Sequence, residues 1–320
     1  MLARRLVMLA GRLAQQAALL TVLSLAPLSA AFGQELGRWT TAAPMPSSRS
    51  EVAVAAVGGK VYVGGGFGGG RALEIYDPAA DEWSRGAPVP RALHHGAAVA
   101  LGGRLYIVGG FADGWKPIGS VYEYDPASDR WRTRAPLPTA RGALAAVVLG
   151  GRIHALGGLG AGRRNTPAHE VYDPATDTWT ARAPLPTARD HLAAAVVGGR
   201  IYAIGGRIDG SYARNLAVNE EYDPASDRWR PRTAMPTARS GIAAAVLNGE
   251  VVVFGGEAPS GTFGEVEGYD PRAGRWSRYA PMPTARHGLG ATVVAGRVYV
   301  ISGGTRPGGS ASSANEIFAR

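Results

Sequence analysis

The apolar positions of the chain recur at the short spacing of β-strands, and three kinds of run return in a fixed order. Runs of small apolar residues such as "GALAAVVLGG" (142–151) suit strands that crowd against one another. They lead into runs such as "RIYAIGG" (200–206), where apolar and aromatic residues end on a glycine pair able to take positive φ. Runs such as "EYDPASDRW" (221–229) close a strand at Tyr-Asp-Pro, where proline fixes φ for a tight turn and aspartate accepts turn N–H groups. The tryptophan then opens a short fourth strand. Each set predicts a four-stranded antiparallel meander that cannot cover both of its own faces, so meander must stack on meander.

The octapeptide "RAPLPTAR" occurs at 134–141 and again at 182–189, and equivalent prolines stand at Pro46, Pro90, Pro138, Pro186, Pro236 and Pro283. Their spacings of 44, 48, 48, 50 and 47 define six units of just under fifty residues. The two ends are complementary. "ELGRWTTAAPMP" supplies a fourth strand, with Trp39, that has no first three before it, and "ANEIFAR" supplies a third strand with no fourth after it. Joining them matches six fourth strands, carrying Trp39, Trp83, Trp131, Trp179, Trp229 and Trp276, to six sets of the other three. The ring then has no free sheet edge.

The recurrence of "YxxGG", "YDPxxDxW" and "PMPTAR" in that order resembles the kelch repeat, whose family forms β-propellers, and the resemblance covers residues 35–320. It implies an all-β fold: a six-bladed kelch β-propeller over residues 34–320, closed by the N-terminal fourth strand pairing with the C-terminal blade. Departures from the pattern are Leu93 for the link arginine, Ser302 in a glycine pair, Thr233-Ala234 for Ala-Pro, and Gly274 for the turn aspartate. Each is expected to touch one blade.

Residues 1–33 read as an export signal. Arg4, Arg5 and Arg12 precede the apolar "AALLTVLSLAPLSAAF", and small residues around Ala30–Gly33 offer a cleavage site. A secreted or periplasmic protein follows, with an uncleaved membrane anchor as the rival reading, against which Pro27 stands. The absence of cysteine excludes disulfides, thiolate-ligated metals and thiol nucleophiles. The formal charge of +9 is almost all arginine and accompanies no nucleic-acid-binding motif, so nucleic acid is not an expected partner. No cofactor is expected, and the protein is read as a monomer.

Strand parity places the links between units and the loops joining second to third strands on one face of the disc. That face carries all the variation: "FADGWKPIGSVYE", "LGAGRRNTPAHEV", "RIDGSYARNLAVNEE" and "EAPSGTFGEVEG" differ while the opposite turns hardly change. It also gathers Arg49, Arg141, Arg189, Arg239 and Arg286 from the links, with Lys116, Arg163, Arg164, Arg207, Arg214 and Arg306 from the loops. A basic mouth favours an anionic ligand, an acidic glycan or protein segment, through bidentate arginine contacts. The competing reading of each link arginine is structural, bonding backbone carbonyls or a neighbouring blade. On the binding reading, Arg189→Ala with Arg239→Ala weakens anion binding and leaves the melting temperature nearly unchanged.

Trp115 occupies no repeat position and is a candidate contact, as are His94, His191 and His287 beside the links of alternate blades. A metal shared by these histidines and His95, the neighbour of His94, is not expected, because residues on alternate blades are read as too far apart for ~2.0–2.1 Å bonds, and they are read instead as hydrogen-bonders on the rim. Two functions stay open. One is an exported binding scaffold, which needs no catalytic constellation. The other comes from similarity to periplasmic sialic-acid mutarotases, and implies Asp190, Glu51 and Glu257 as general acid–base candidates beside Arg189, Arg49 and Arg207. Copper oxidase chemistry of the galactose oxidase kind is set aside for want of a cysteine.

Overall fold

The computed structural model describes residues 36–320, which lie within one compact unit; the expected export signal at 1–33 falls outside the described residues. Six four-stranded antiparallel sheets form the six blades of a propeller. Blade 1 runs Ala53–Val57, Lys60–Gly64, Leu73–Asp77, Glu82–Gly86, and blades 2 to 5 repeat it in the same order. Blade 6 takes Gly290–Val294, Arg297–Ile301 and Asn315–Ala319 from the C-terminal end and its fourth strand, Arg38–Thr41, from the N-terminal end. The register sets Trp39 opposite Phe318 and Thr41 opposite Glu316, so the ring closes as the sequence predicts.

Small residues dominate the first strands because those strands meet at the axis. Each lies against the first strands of both neighbouring blades, all the way round. Alternate side chains of a first strand, such as Ala193 and Ala195, point into the interface with the next blade, where they meet Tyr202, Ile204 and Tyr269. The repeat tryptophans sit further out, half-buried, and act as staples. The indole N–H of Trp131 donates to the Ala87 carbonyl of the preceding link at 2.8 Å, and Trp83, Trp179 and Trp229 do the same at Ala43, Ala135 and Ala183. The turn aspartate completes the staple: Asp129 accepts both the Tyr124 hydroxyl and the Ala87 N–H at 2.6 Å.

Two of the departures from the repeat prove to be one coupled pair, and a third reaches the neighbouring blade, which corrects the expectation that each touches one blade. Thr233 and Gly274 face one another. Where other repeats use an aspartate to accept the link N–H, the Thr233 hydroxyl donates to the Gly274 carbonyl at 2.6 Å, and Trp276 still donates to the Thr233 carbonyl. Ser302 takes the glycine-pair position with φ 64°, fully buried. A Cβ at the equivalent Gly255 would stand 2.3 Å from the Arg286 carbonyl oxygen, whereas Ser302 turns that close approach into a 2.6 Å hydrogen bond from its hydroxyl to the Arg49 carbonyl.

Candidate functional site

The five link arginines do not line the mouth. Arg49, Arg141, Arg189, Arg239 and Arg286 are completely buried, and each pairs with the glutamate at the second position of its blade's third strand: Glu74, Glu170, Glu220, Glu267 and Glu316. Arg189 shows the whole pattern. It reaches Glu220 at 2.6 Å and donates to the carbonyls of Thr187, Ala203 and Gly205, each at 2.8 Å. Burial pulls these guanidinium pKa values down against the pull of the glutamates. The binding role expected of them is therefore corrected: with each guanidinium enclosed in its blade and committed to a glutamate, none is available to a ligand. Blade 2 confirms the pairing by omitting both halves. Leu93 replaces the arginine and Tyr122 replaces the glutamate, and the two lie in one apolar cluster with Ile118. A buried ion pair exchanged whole for apolar groups is tolerated, whereas half of one is not.

Two residues beyond each link arginine position, the chain turns into the axis. Glu51, His95, Ala143, His191, Gly241 and Gly288 occupy equivalent places, all with φ between 52° and 65°. Each backbone N–H donates to the carbonyl of the equivalent residue one blade back, at 2.6–3.0 Å, and Glu51 donates to Gly288 to complete the circle. Six hydrogen bonds thus form a closed collar around the axis. Left-handed backbone at a non-glycine residue costs on the order of 1 kcal/mol or more and persists only where the surroundings over-determine it. The collar supplies that constraint.

A cup of about 90 Å³ lies over the collar, lined by these six residues and by Val52, Gly96, Leu144, Leu192, Ile242 and Leu289. The polar side chains reach it from several blades. His95 Nε2 stands 3.3 Å from Glu51 Oε2, and the His95 and His191 rings are 4.9 Å apart between centroids. His191 Nδ1 is hydrogen-bonded to Asp190, and its Nε2 lies 2.7 Å from Arg207 Nη2. Arg207 also reaches Glu257 at 2.6 Å and Asp190 at 3.3 Å. His287 faces the carbonyls of Gly304 and Gly308 through its two ring nitrogens, with Glu257 and Glu51 at 3.5 and 3.8 Å.

The expectation that histidines on alternate blades lie too far apart is thus overturned. First strands converge on the axis, and the link residues that precede them converge further still. His94, His191 and His287 are correspondingly buried groups of the interior rather than hydrogen-bonders on an open rim. Burial pushes His95 well below the ordinary histidine pKa, with His191, His94 and Arg207 adding to the effect, and His94 is lowered by burial as well. For Asp190 burial acts upward, but hydrogen bonds from His191, Asn165 and Gly210 outweigh it and hold the carboxyl below its usual range. Of the three acid–base candidates, Asp190 and Glu257 are buried and bonded to Arg207, whereas Glu51 is partly open to the cup.

Trp115 lies at the mouth, where the sequence placed it. It is 42% exposed on a short ribbon, Phe111–Ala112 paired with Lys116–Pro117, and contacts Phe67, His94, His95 and Phe111 at ring separations of 5.0–5.8 Å. The guanidinium of Arg163, from the loop of blade 3, sits 4.9 Å over its ring. Lys116, Arg163 and Arg164 are exposed. Other ribbons, Arg207–Ile208 with Ser211–Asn215 and Glu257–Ala258 with Gly261–Thr262, bring Arg207 and Glu257 to the axis.

Comparison with known proteins agrees with this architecture. The family model of the KLHDC2/KLHL20/DRC7 Kelch-repeats domain matches residues 71–231 and 143–318, and that of the Kelch motif matches residues 48–90. No curated protein matches the chain in sequence. The solved structure of YjhT is similar over 86% of this chain and 96% of that one, with a TM-score of 0.77 and 16% sequence identity, a likeness of fold. The six sheets, the stapling tryptophans and the matched residues together establish that the chain belongs to the kelch-repeat β-propeller family.

Proposed function

We propose that this propeller is an exported binding module that holds an acidic glycan on its variable-loop face, at Trp115. The observation that carries the reading is a half-exposed tryptophan, fixed from below by Phe67, Phe111 and His94, with a guanidinium already over its ring. A sugar ring laid against an indole buries apolar C–H surface, and the cations offered to a carboxylate on that sugar are Arg163 beside the ring and the exposed Arg164 and Lys116, the chain neighbours of Arg163 and Trp115. The anionic preference expected of the link arginines thus moves to these loop cations. Export, and with it the periplasmic or secreted location, rests on the character of residues 1–33.

The test is a screen of acidic and neutral saccharides by calorimetry, with anomer exchange followed in parallel by NMR. Binding of acidic sugars that is lost in Trp115→Ala and weakened at least tenfold in Arg163→Ala with Arg164→Ala supports the module. Anomer exchange abolished by Glu51→Gln would instead identify a mutarotase. Equal binding of neutral and acidic sugars would remove the role of the loop cations.

A further inference from the structure

The axial cup holds a second chemistry that the Trp115 platform does not use. With its imidazoles neutral, its donors follow from the hydrogen bonds. His94 Nε2 lies 2.8 Å from the Gly114 carbonyl and so carries the hydrogen. In a neutral His94 that leaves Nδ1 as an acceptor, and it is 2.6 Å from His95 Nδ1, which must therefore donate. A neutral His95 then presents a bare lone pair at Nε2, which faces Glu51 Oε2 at 3.3 Å: two acceptors opposed, with no hydrogen to share. His191 is fixed the same way. Asp190 holds its Nδ1–H, so its Nε2 lone pair also points inward.

We propose that Glu51, His95 and His191 form a binding site for a divalent first-row transition metal on the propeller axis. Donor atoms of the three side chains lie within 4.8 Å of one another. Two imidazoles and one carboxylate form a set that suits zinc or ferrous iron and leaves coordination positions open. Both imidazoles already have the outer partners that metal-bound histidines require on their second nitrogen, Asp190 for His191 and His94 for His95. The cup of about 90 Å³ agrees: it takes an ion with a few waters, while small-molecule pockets run to ~300–1,000 Å³. Backbone position adds a further reason. Glycine or alanine fills three of the six collar places, and the left-handed conformation is imposed on bulkier residues at Glu51, His95 and His191.

The neighbouring set of Glu51, Glu257 and His287 is a poorer candidate. Both nitrogens of His287 face carbonyls, and both oxygens of Glu257 are bonded, to Arg207 and to the Gly308 N–H. Arg207 is the competitor at the proposed site, since its guanidinium occupies the His191 lone pair at 2.7 Å. Metal binding displaces that one contact, and Arg207 keeps its bonds to Asp190 and Glu257.

The test uses the tag-free, chelator-dialysed protein, titrated with Zn²⁺ by calorimetry and with Co²⁺ by visible absorption. One ion per chain is expected, with a tetrahedral or five-coordinate Co²⁺ spectrum. His95→Ala, His191→Ala and the near-isosteric Glu51→Gln are each expected to weaken Zn²⁺ binding at least tenfold, with melting temperatures measured beside them. Arg207→Met is expected to tighten it by removing the competitor. No stoichiometric binding, or binding that survives Glu51→Gln and His95→Ala in folded protein, overturns the site. Loss of binding in Arg207→Met would show that the donor set is wrong. Saccharide is absent throughout, so failure here leaves the glycan reading at Trp115 untouched, and the reverse holds too.

Discussion

Two positions in each link, only two residues apart, have opposite fates. At the first, five blades carry the same arginine, and its uniformity reflects a single structural role. It joins a third-strand glutamate to a carbonyl of the second strand in the dry interior of the blade. At the second, no two neighbouring blades carry the same side chain until the glycines of blades 5 and 6, and the variety faces a shared cup. In a closed ring of repeats, what recurs builds the ring, and what departs from recurrence at the axis is free to carry chemistry. Charge alone does not separate the two positions; the presence of a recurring partner does.

The comparison can be broken most severely at the first position. Arg189→Leu leaves Glu220 buried without its partner and is expected to cost about 3–5 kcal/mol, read as a drop in chemical-denaturation midpoint. Adding Glu220→Tyr copies the Leu93/Tyr122 solution of blade 2 and is expected to restore most of the loss. A double variant no better than the single would mean that the coupling read from blade 2 does not transfer. The outcome expected for Arg189→Ala with Arg239→Ala is accordingly reversed, toward a large fall in melting temperature.

A second, smaller effect separates histidines that serve packing from those on the axis. His154 and His169 form a buried pair between blades 3 and 4, 2.9 Å apart, lowered to about 4 and about 3, in each case chiefly by burial. Because these folded values lie below the unfolded value near 6.5, their contribution is whole above that pH and is lost as pH falls toward 4 and 3. His154→Leu with His169→Phe is therefore expected to flatten the fall in melting temperature between about pH 6.5 and 4.5. It will not abolish that fall, since His94 and His95 titrate low for the same reason. An unchanged slope would place the acid sensitivity elsewhere.

The smallest effect sharpens the axial half of the comparison. Glu51→Gln puts an amide donor opposite the His95 lone pair and is expected to leave stability unchanged or raise it by up to ~1 kcal/mol, measured by denaturant unfolding of the metal-free protein. A clear loss of stability would show that Glu51, too, is needed by the ring itself.

The blades, their number and the closure at Trp39 were legible because each follows from local chemistry repeated six times: glycine pairs, Tyr-Asp-Pro turns and a tryptophan at fixed spacing. The face carrying the loops and the exposure of Trp115 followed from strand parity and from its absence from the repeat. Pairing across blade and ring was harder to read. Glu74, Glu170, Glu220, Glu267 and Glu316 recur as faithfully as the arginines and vanish in the same repeat, so a signal for the buried pairs does lie in the sequence, though charge at the mouth hides it. The convergence of His95 and His191 is a matter of ring radius, which no local pattern encodes. The same is true of Thr233 and Gly274, forty-one residues apart and in contact.

The collar of six backbone hydrogen bonds also bears on how the molecule comes apart. In an open solenoid each module touches two others at most, and the array can fray from either tip. Here there is no tip: every inward turn is both donor and acceptor in one loop, so releasing any module leaves its two neighbours with unmatched amide and carbonyl groups. The assembly is thereby expected to melt in a single calorimetric transition, with agreement between the van't Hoff and measured enthalpies, rather than shedding modules in sequence.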